Sequence, residues 1–200
     1  EEYKAITDAG LIVQIDDPSI AENWDQINPE PTIEDYLAFT RIRVEALNHA
    51  LRGIPPEKIR HHTCYGINMG PRVHDMEVKH FIDIILKINA GAYSFEAANP
   101  RHEHEWKVWE NVKLPDGKVL MPGCITHASV IVEHPELVAE RVMRLAKIVG
   151  RDRVIASSDC GFASTLSANE PPEIEPEIVW AKFQSLAEGA RLASQALWKA

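Results

Sequence analysis

Two hundred residues with 45% hydrophobic and 26% charged side chains and only 10 glycines make one folded globular unit, which excludes a disordered, collagen-like or disulfide-stapled chain. The excess of 30 acidic over 21 basic side chains, a net charge of −9, argues against nucleic acid as the partner. No apolar run approaches the roughly 20 residues of a spanning helix and no signal-peptide pattern opens the chain, which excludes membrane insertion. Three widely spaced cysteines, Cys64, Cys124 and Cys160, speak against a disulfide framework and for a reducing, cytoplasmic setting.

The chain opens on Glu1-Glu2-Tyr3, without Met, directly on a helical pattern, which reads as the middle of a protein rather than its beginning, so a fragment is expected. Leu11–Asp16 reads as a buried strand closed by Asp-Asp-Pro. Thr32 precedes a helix with Glu34 and Asp35 in its first turn, an apolar face through Tyr36, Leu37, Thr40, Val44 and Leu47, and a stop at Gly53. Ile59–Cys64 is the second strand, followed by a helix expected from about Val78 to Asn89 with Phe81, Ile82, Ile85 and Ile88 on one face. Tyr93–Glu96 is the third strand, and a polar helix runs on through His104, Trp106 and Trp109. After the Pro115-Asp116-Gly117 turn comes the strand Val119–Ile125, then a helix with Pro135 in its first turn and a stripe of Val138, Val142, Leu145 and Val149. Gly150 ends that helix, Val154–Ser157 is the fifth strand, and a last helix spans about Pro176 to Lys199.

Strands that each lead into a helix predict a parallel sheet, either doubly wound or closed as a (β/α)8 barrel. No glycine-rich phosphate loop follows any strand, which weakens the dinucleotide-binding alternative. The barrel carries its chemistry at the carboxyl ends of its strands, and the unusual residues stand there: Asp16 and Asp17, His62 and Cys64, Glu96, Cys124 and His127, Asp159 and Cys160. A barrel takes roughly 250 residues, so five βα units in residues 1–200 leave three strands unaccounted for.

His62 and Cys64 are two residues apart, a spacing that puts both side chains on one face of a strand. Imidazole, thiolates and carboxylate are zinc's donors, and the thiolates select it over magnesium or calcium. The proposal from the residues is a zinc site of His62, Cys64, Glu96 and Cys160. Against it, buried cysteine is commonplace, and a His-x-Cys pair alone is more often core than ligand. His61 is expected to point away from His62 and pack. His102 and His104 are expected on an exposed helix start, Cys124 as a core thiol, and Asp16 and Asp17 as caps of the turn before Pro18.

Five stretches occur in one order: Gln14-Ile15-Asp16-Asp17-Pro18, His62-Thr63-Cys64-Tyr65, Ser94-Phe95-Glu96, Glu133-His134-Pro135-Glu136-Leu137-Val138-Ala139-Glu140-Arg141 and Asp159-Cys160-Gly161. The series resembles the catalytic domain of cobalamin-independent methionine synthase and its single-domain relatives. The resemblance implies a (β/α)8 TIM barrel, of which residues 1–200 hold about the last five βα units as a single catalytic-type domain, with zinc held by His62, Cys64, Glu96 and Cys160, and Asp16 on the amino group of homocysteine. It also implies an acid at His127, which falls about one residue out of register with the family's histidine. The reaction it implies is alkyl transfer to a zinc-bound thiol, with methylfolate as the family's donor. The partners are then a small-molecule thiol and an alkyl donor, with a homo-oligomer or an upstream barrel half as further partners.

Two departures stand out. The family's glutamate in its Asp-Glu-Pro motif is Asp17 here, and nothing represents a second, amino-terminal barrel. Asn99-Pro100-Arg101-His102-Glu103-His104-Glu105, with Cys124-Ile125-Thr126-His127, looks more like the short branch that includes epoxyalkane:coenzyme M transferases. An amino-acid thiol calls for an acid such as Asp16, and a sulfonate for a cation such as Arg101 or Arg72. A reading of another class is a non-catalytic zinc-binding or assembly fragment, because five βα units leave sheet edges to be covered.

Overall fold

A computed structural model describes residues 1–66, 74–162, 172 and 174–199. The strands are β1 (Val13–Asp17), β2 (Ile59–Thr63), β3 (Ala92–Phe95), β4 (Val119–Ile125) and β5 (Ser157–Ser158), all parallel and in the order β1-β2-β3-β4-β5. A doubly wound sheet reverses its strand order at a switch point. This order never reverses, and consecutive strands lie side by side as the staves of a TIM barrel do.

The helices are α1 (Glu2–Asp8), α2 (Ile33–Ala50), α3 (Ile82–Ile85), α4 (Pro135–Val149) and α5 (Pro176–Leu197). Local chemistry explains where the longer ones begin. Thr32 caps α2, its hydroxyl accepting from the Asp35 N–H at 3.1 Å and donating to the Asp35 carboxylate at 2.7 Å. Pro135 opens α4 where its missing N–H costs nothing, behind an N-cap His134 ring that accepts from Glu136 N–H at 3.2 Å. Gly150, at φ 103°, ends α4 in a conformation side-chain-bearing residues avoid.

Alternation along the strands separates two faces. Val13, Ile15, Ile59, Tyr93 and Phe95 enter the main apolar core beneath the helices, while Gln14, Asp16, Arg60, His62 and Ser94 line a cavity on the inner face. A second core of Cys124, Ile125, Val138, Ala139, Val142 and Ala193 joins β4 to α4 and α5. Those helices meet closely at Gly189, where a Cβ would fall 2.4 Å from Val138.

The expected helix from Val78 to Asn89 is a 3-10 turn at Val78–His80 followed by the single-turn α3. Ile82, Ile84 and Ile85 are β-branched and all buried, so packing rather than helix propensity holds the segment. Side chains replace the missing helical bonds: Val78 N–H donates to Glu105 at 2.7 Å and Asn89 N–H to Asn48 Oδ1 at 2.7 Å. The polar helix is also 3-10, spanning Glu103–Glu110. The fifth strand is shorter than the expected Val154–Ser157, because Val154 makes an isolated bridge to Leu120 and pairing resumes only at Ser157. Among the described residues no helix is long and apolar enough to cross a membrane.

Candidate metal centre

The register of the sheet assembles the site. Asp16 stands beside His62 and His62 beside Ser94, so one layer of the inner face carries a carboxylate, an imidazole and a hydroxyl. Cys64 follows directly on β2, Glu96 on β3, and Cys160 lies two residues past β5. His62 Nε2 is 3.1 Å from Cys160 Sγ, and Cys64 Sγ is 3.2 Å from it. Glu96 Oε1 is 3.7 Å from the same sulfur. All four side chains are buried. His62, Cys64 and Cys160 form one cluster with donor atoms mutually within 4.8 Å, and Glu96, His127 and Cys160 form another. Donors that zinc holds at about 2.0–2.3 Å must approach one another this closely, and the three cysteines are all unbridged. The donor set therefore fits a metal ion.

The surrounding groups orient these donors. His62 Nδ1 lies 2.9 Å from Ser94 Oγ, which turns Nε2 toward the thiols. Glu96 accepts from Tyr65 N–H at 3.2 Å and from Asn99 Nδ2 at 2.7 Å, with Arg101 Nη2 at 3.5 Å. Asn99 also reaches Asp159 Oδ2 at 3.1 Å, and Asp159 Oδ1 accepts from Ala97 N–H at 2.7 Å and Ala98 N–H at 2.8 Å. Asp159 thus pins the end of β3 to the segment that carries Cys160.

Electrostatics follow from crowding acids and thiols in a dry place. The hydrogen bond with Cys160 holds the Cys64 thiol well below its usual range, and the same contact pushes Cys160 up. Burial, and then the charge of Asp159, raise Glu96 to about 7. Burial disfavours charge on His62, but the hydrogen bond to Cys64 and the nearby negative charge outweigh it and leave its pKa raised. A cation placed among these groups relieves the repulsion between their anionic forms.

Asp16 is exposed on the wall of a cavity of about 770 Å³ that it shares with His62, Cys64, Ser94 and Cys160. Asp17 plays the capping part, accepting from Ser19 N–H at 3.1 Å, and it also meets the buried His61 at 3.4 Å. His127 is buried beside Glu96 and Cys160 and is not one of the residues lining that cavity. Its loop is held from α5: Glu133 accepts from Thr126 N–H at 2.7 Å and from the buried Lys182 Nζ at 2.9 Å. Cys124 is core, with a thiol that burial raises to about 12.

Two expectations need correction. His102 is not on an exposed helix start. It is buried, stacked on Tyr65 at 3.9 Å, 2.8 Å from Glu105 and 3.3 Å from Asp75, because the start of the 3-10 helix turns it inward against Tyr65, the neighbour of Cys64; His104 is exposed as expected. Arg101 is committed to Asp75 and Glu96 instead of standing free for a sulfonate, and Arg72 lies outside the described residues. Sequence reasoning overlooked Arg60, which is on the cavity wall; its place two residues before His62 on the same strand was the available signal.

The family model described as "Cobalamin-independent synthase, Catalytic domain" matches residues 1–173. The 2-hydroxypropyl-CoM lyase of Xanthobacter autotrophicus (strain ATCC BAA-1158 / Py2) is 32% identical over 93 residues, which are 46% of this chain and 22% of that protein. A solved structure of a B12-independent methionine synthase from Shewanella sp. W3-18-1, in complex with selenomethionine, superposes with a TM-score of 0.72 at 22% identity, over 98% of this chain and 52% of that one. The chain thus spans about half the length of the solved relative, and the likeness at that identity is one of fold.

Proposed function

The chain belongs to the cobalamin-independent synthase catalytic-domain family, and on that footing we propose that it transfers an alkyl group to a thiol at a zinc centre made by His62, Cys64, Glu96 and Cys160. The observation that carries this reading is the gathering of imidazole, two thiols and a carboxylate from three separate strand ends around the Cys160 sulfur. Zinc, when bound, supplies the Lewis acidity that keeps a substrate thiol in its thiolate form at neutral pH.

The chain's own residues do the rest. Ser94 fixes the tautomer and tilt of His62 by holding Nδ1. Tyr65 N–H and Asn99 hold the Glu96 carboxylate, and the buried surroundings exclude water from it. Asp16 takes the ammonium of an amino-acid thiol on the open side of the cavity. His127 gives its proton to the alkyl donor as the carbon departs, general-acid work suited to imidazole near neutral pH.

A second reading is favoured by the match to the 2-hydroxypropyl-CoM lyase: the thiolate opens an epoxide instead of accepting a methyl group. The test is metal content of protein purified without chelator, followed by a screen of thiols against methyl and epoxide donors. Stoichiometric zinc and thiol-dependent turnover are expected. Zinc-loaded protein that binds no thiol would refute both readings.

A further inference from the structure

We infer that Arg60 is the subsite for the anionic end of the substrate thiol, so that the cavity selects thiols bearing a carboxylate or sulfonate a few bonds from sulfur. This rests on the thiol-transfer reading above. Arg60 shares the inner face with His62 two residues further along β2, which places the two Cα atoms about 6.6 Å apart along the strand. Both line the same cavity.

The guanidinium is under-used. Its register neighbours are Gln14 and Ala92, an amide on one side and a bare methyl on the other. Among the described residues it donates one long bond, from Nη1 to Gln14 Oε1 at 3.4 Å, and its buried Nε–H meets no acceptor. Among the described residues no carboxylate lies within ion-pair distance of it. The other inward-turned arginines are satisfied: Arg101 by Asp75 and Glu96, Arg141 by Glu103 and two carbonyls, Arg153 by three carbonyls.

A planar fork of five donors on a cavity wall, left without its counter-charge, matches a carboxylate or sulfonate. Arg60 and His62 are successive inward-facing positions on one strand, so the thiol proposed is one whose acid is joined to its sulfur by a short chain of about two or three carbons. The acids on the same wall, Asp16 and Glu22, provide a place for an ammonium, so an amino-acid thiol and a simple sulfonate thiol are two sources of the same anion.

The test uses the intact protein labelled with ¹⁵N and follows the Arg60 Nε–Hε resonance, assigned through its backbone, during titration with ethanesulfonate and with propionate. A saturable shift with both anions, and none with chloride at matched ionic strength, is expected. No shift, or the same shift with chloride, overturns the subsite whatever the state of the metal centre. With zinc loaded, 2-mercaptoethanesulfonate and 3-mercaptopropionate should bind at least about tenfold tighter than 2-mercaptoethanol, a difference of about 1.4 kcal/mol. Arg60→Gln should erase that preference and leave metal content unchanged. A preference that survives Arg60→Gln overturns the assignment to Arg60 alone. Anion binding at Arg60 in zinc-loaded protein that binds no thiol overturns the thiol reading and, with it, the identity proposed for the anion. Asp16→Asn separates the sources, weakening homocysteine while sparing 2-mercaptoethanesulfonate.

Discussion

Gly123 lies flat against Asp159: a Cβ on Gly123 would fall 1.8 Å from Asp159 Oδ1 and 2.7 Å from its Cα. Only glycine lets β4 approach the chain that leaves β5 closely enough for that carboxylate to reach Ala97 and Ala98. Gly123→Ala must displace Asp159 and free two buried N–H groups, each costing about 1–3 kcal/mol. We expect a loss of at least about 2 kcal/mol in chemical unfolding. A variant as stable as the parent would show that the strands part without cost.

The metal centre predicts a graded response. Cys160→Ser removes the sulfur that His62, Cys64 and Glu96 all approach, and zinc should drop to near zero by mass spectrometry. Ser94→Ala removes only the partner of His62 Nδ1, and zinc affinity should fall about 10- to 100-fold in a chelator competition. Full zinc in Cys160→Ser would refute the ligand set.

His127 separates binding from chemistry. His127→Ala should retain zinc and thiol binding while kcat falls about 10²- to 10⁴-fold, the usual contribution of a positioned acid. Because His127 is within 4.8 Å of Glu96 and Cys160, loss of zinc in this variant would instead make it a ligand.

The buried pair Glu133–Lys182 ties α5 to the loop that begins at Thr126. Lys182→Met leaves a buried carboxylate uncompensated and should cost about 3–5 kcal/mol, whereas Glu133→Gln combined with Lys182→Met should recover part of it. Equal stability of the two variants in denaturant titrations would contradict the pairing.

His102 confers a pH dependence. Burial disfavours its charged form, but Asp75 and Glu105 outweigh burial and raise its pKa to about 9; Glu96 and Arg101 are the other charged groups nearby. A group with a raised folded pKa stabilises fully below its unfolded value, near 6.5, and that stabilisation disappears as pH rises through the folded value. Unfolding free energy should therefore fall by about 1–3 kcal/mol between pH 6.5 and 9.5. His102→Asn should be less stable than the parent at pH 6.5, and that difference should shrink as pH rises to 9.5, as followed by circular dichroism.

The repeating βα order was legible in the sequence because apolar runs, caps and stop signals are local. Thr32, Pro135 and Gly150 act within a few residues of where they stand. The two-residue spacing of His62 and Cys64 likewise places both at one strand end. The run Phe81–Ile88 misled, because its apolar period reports burial while its β-branched isoleucines resist helix, and contacts from Asn48 and Glu105 decide the backbone. Only the tertiary structure settled what comes from register and approach between distant segments. Cys160 meets residues almost a hundred positions away, Asp159 pins β3 through a gap that Gly123 leaves open, and Lys182 reaches the Glu133 loop from α5. The inward turn of His102 and the Arg60 guanidinium, which has no carboxylate partner among the described residues, belong to the same class. Sequence determines which faces are apolar and where elements start and stop. Which polar groups end up sharing one dry space depends on how the strands pack, and that information is non-local.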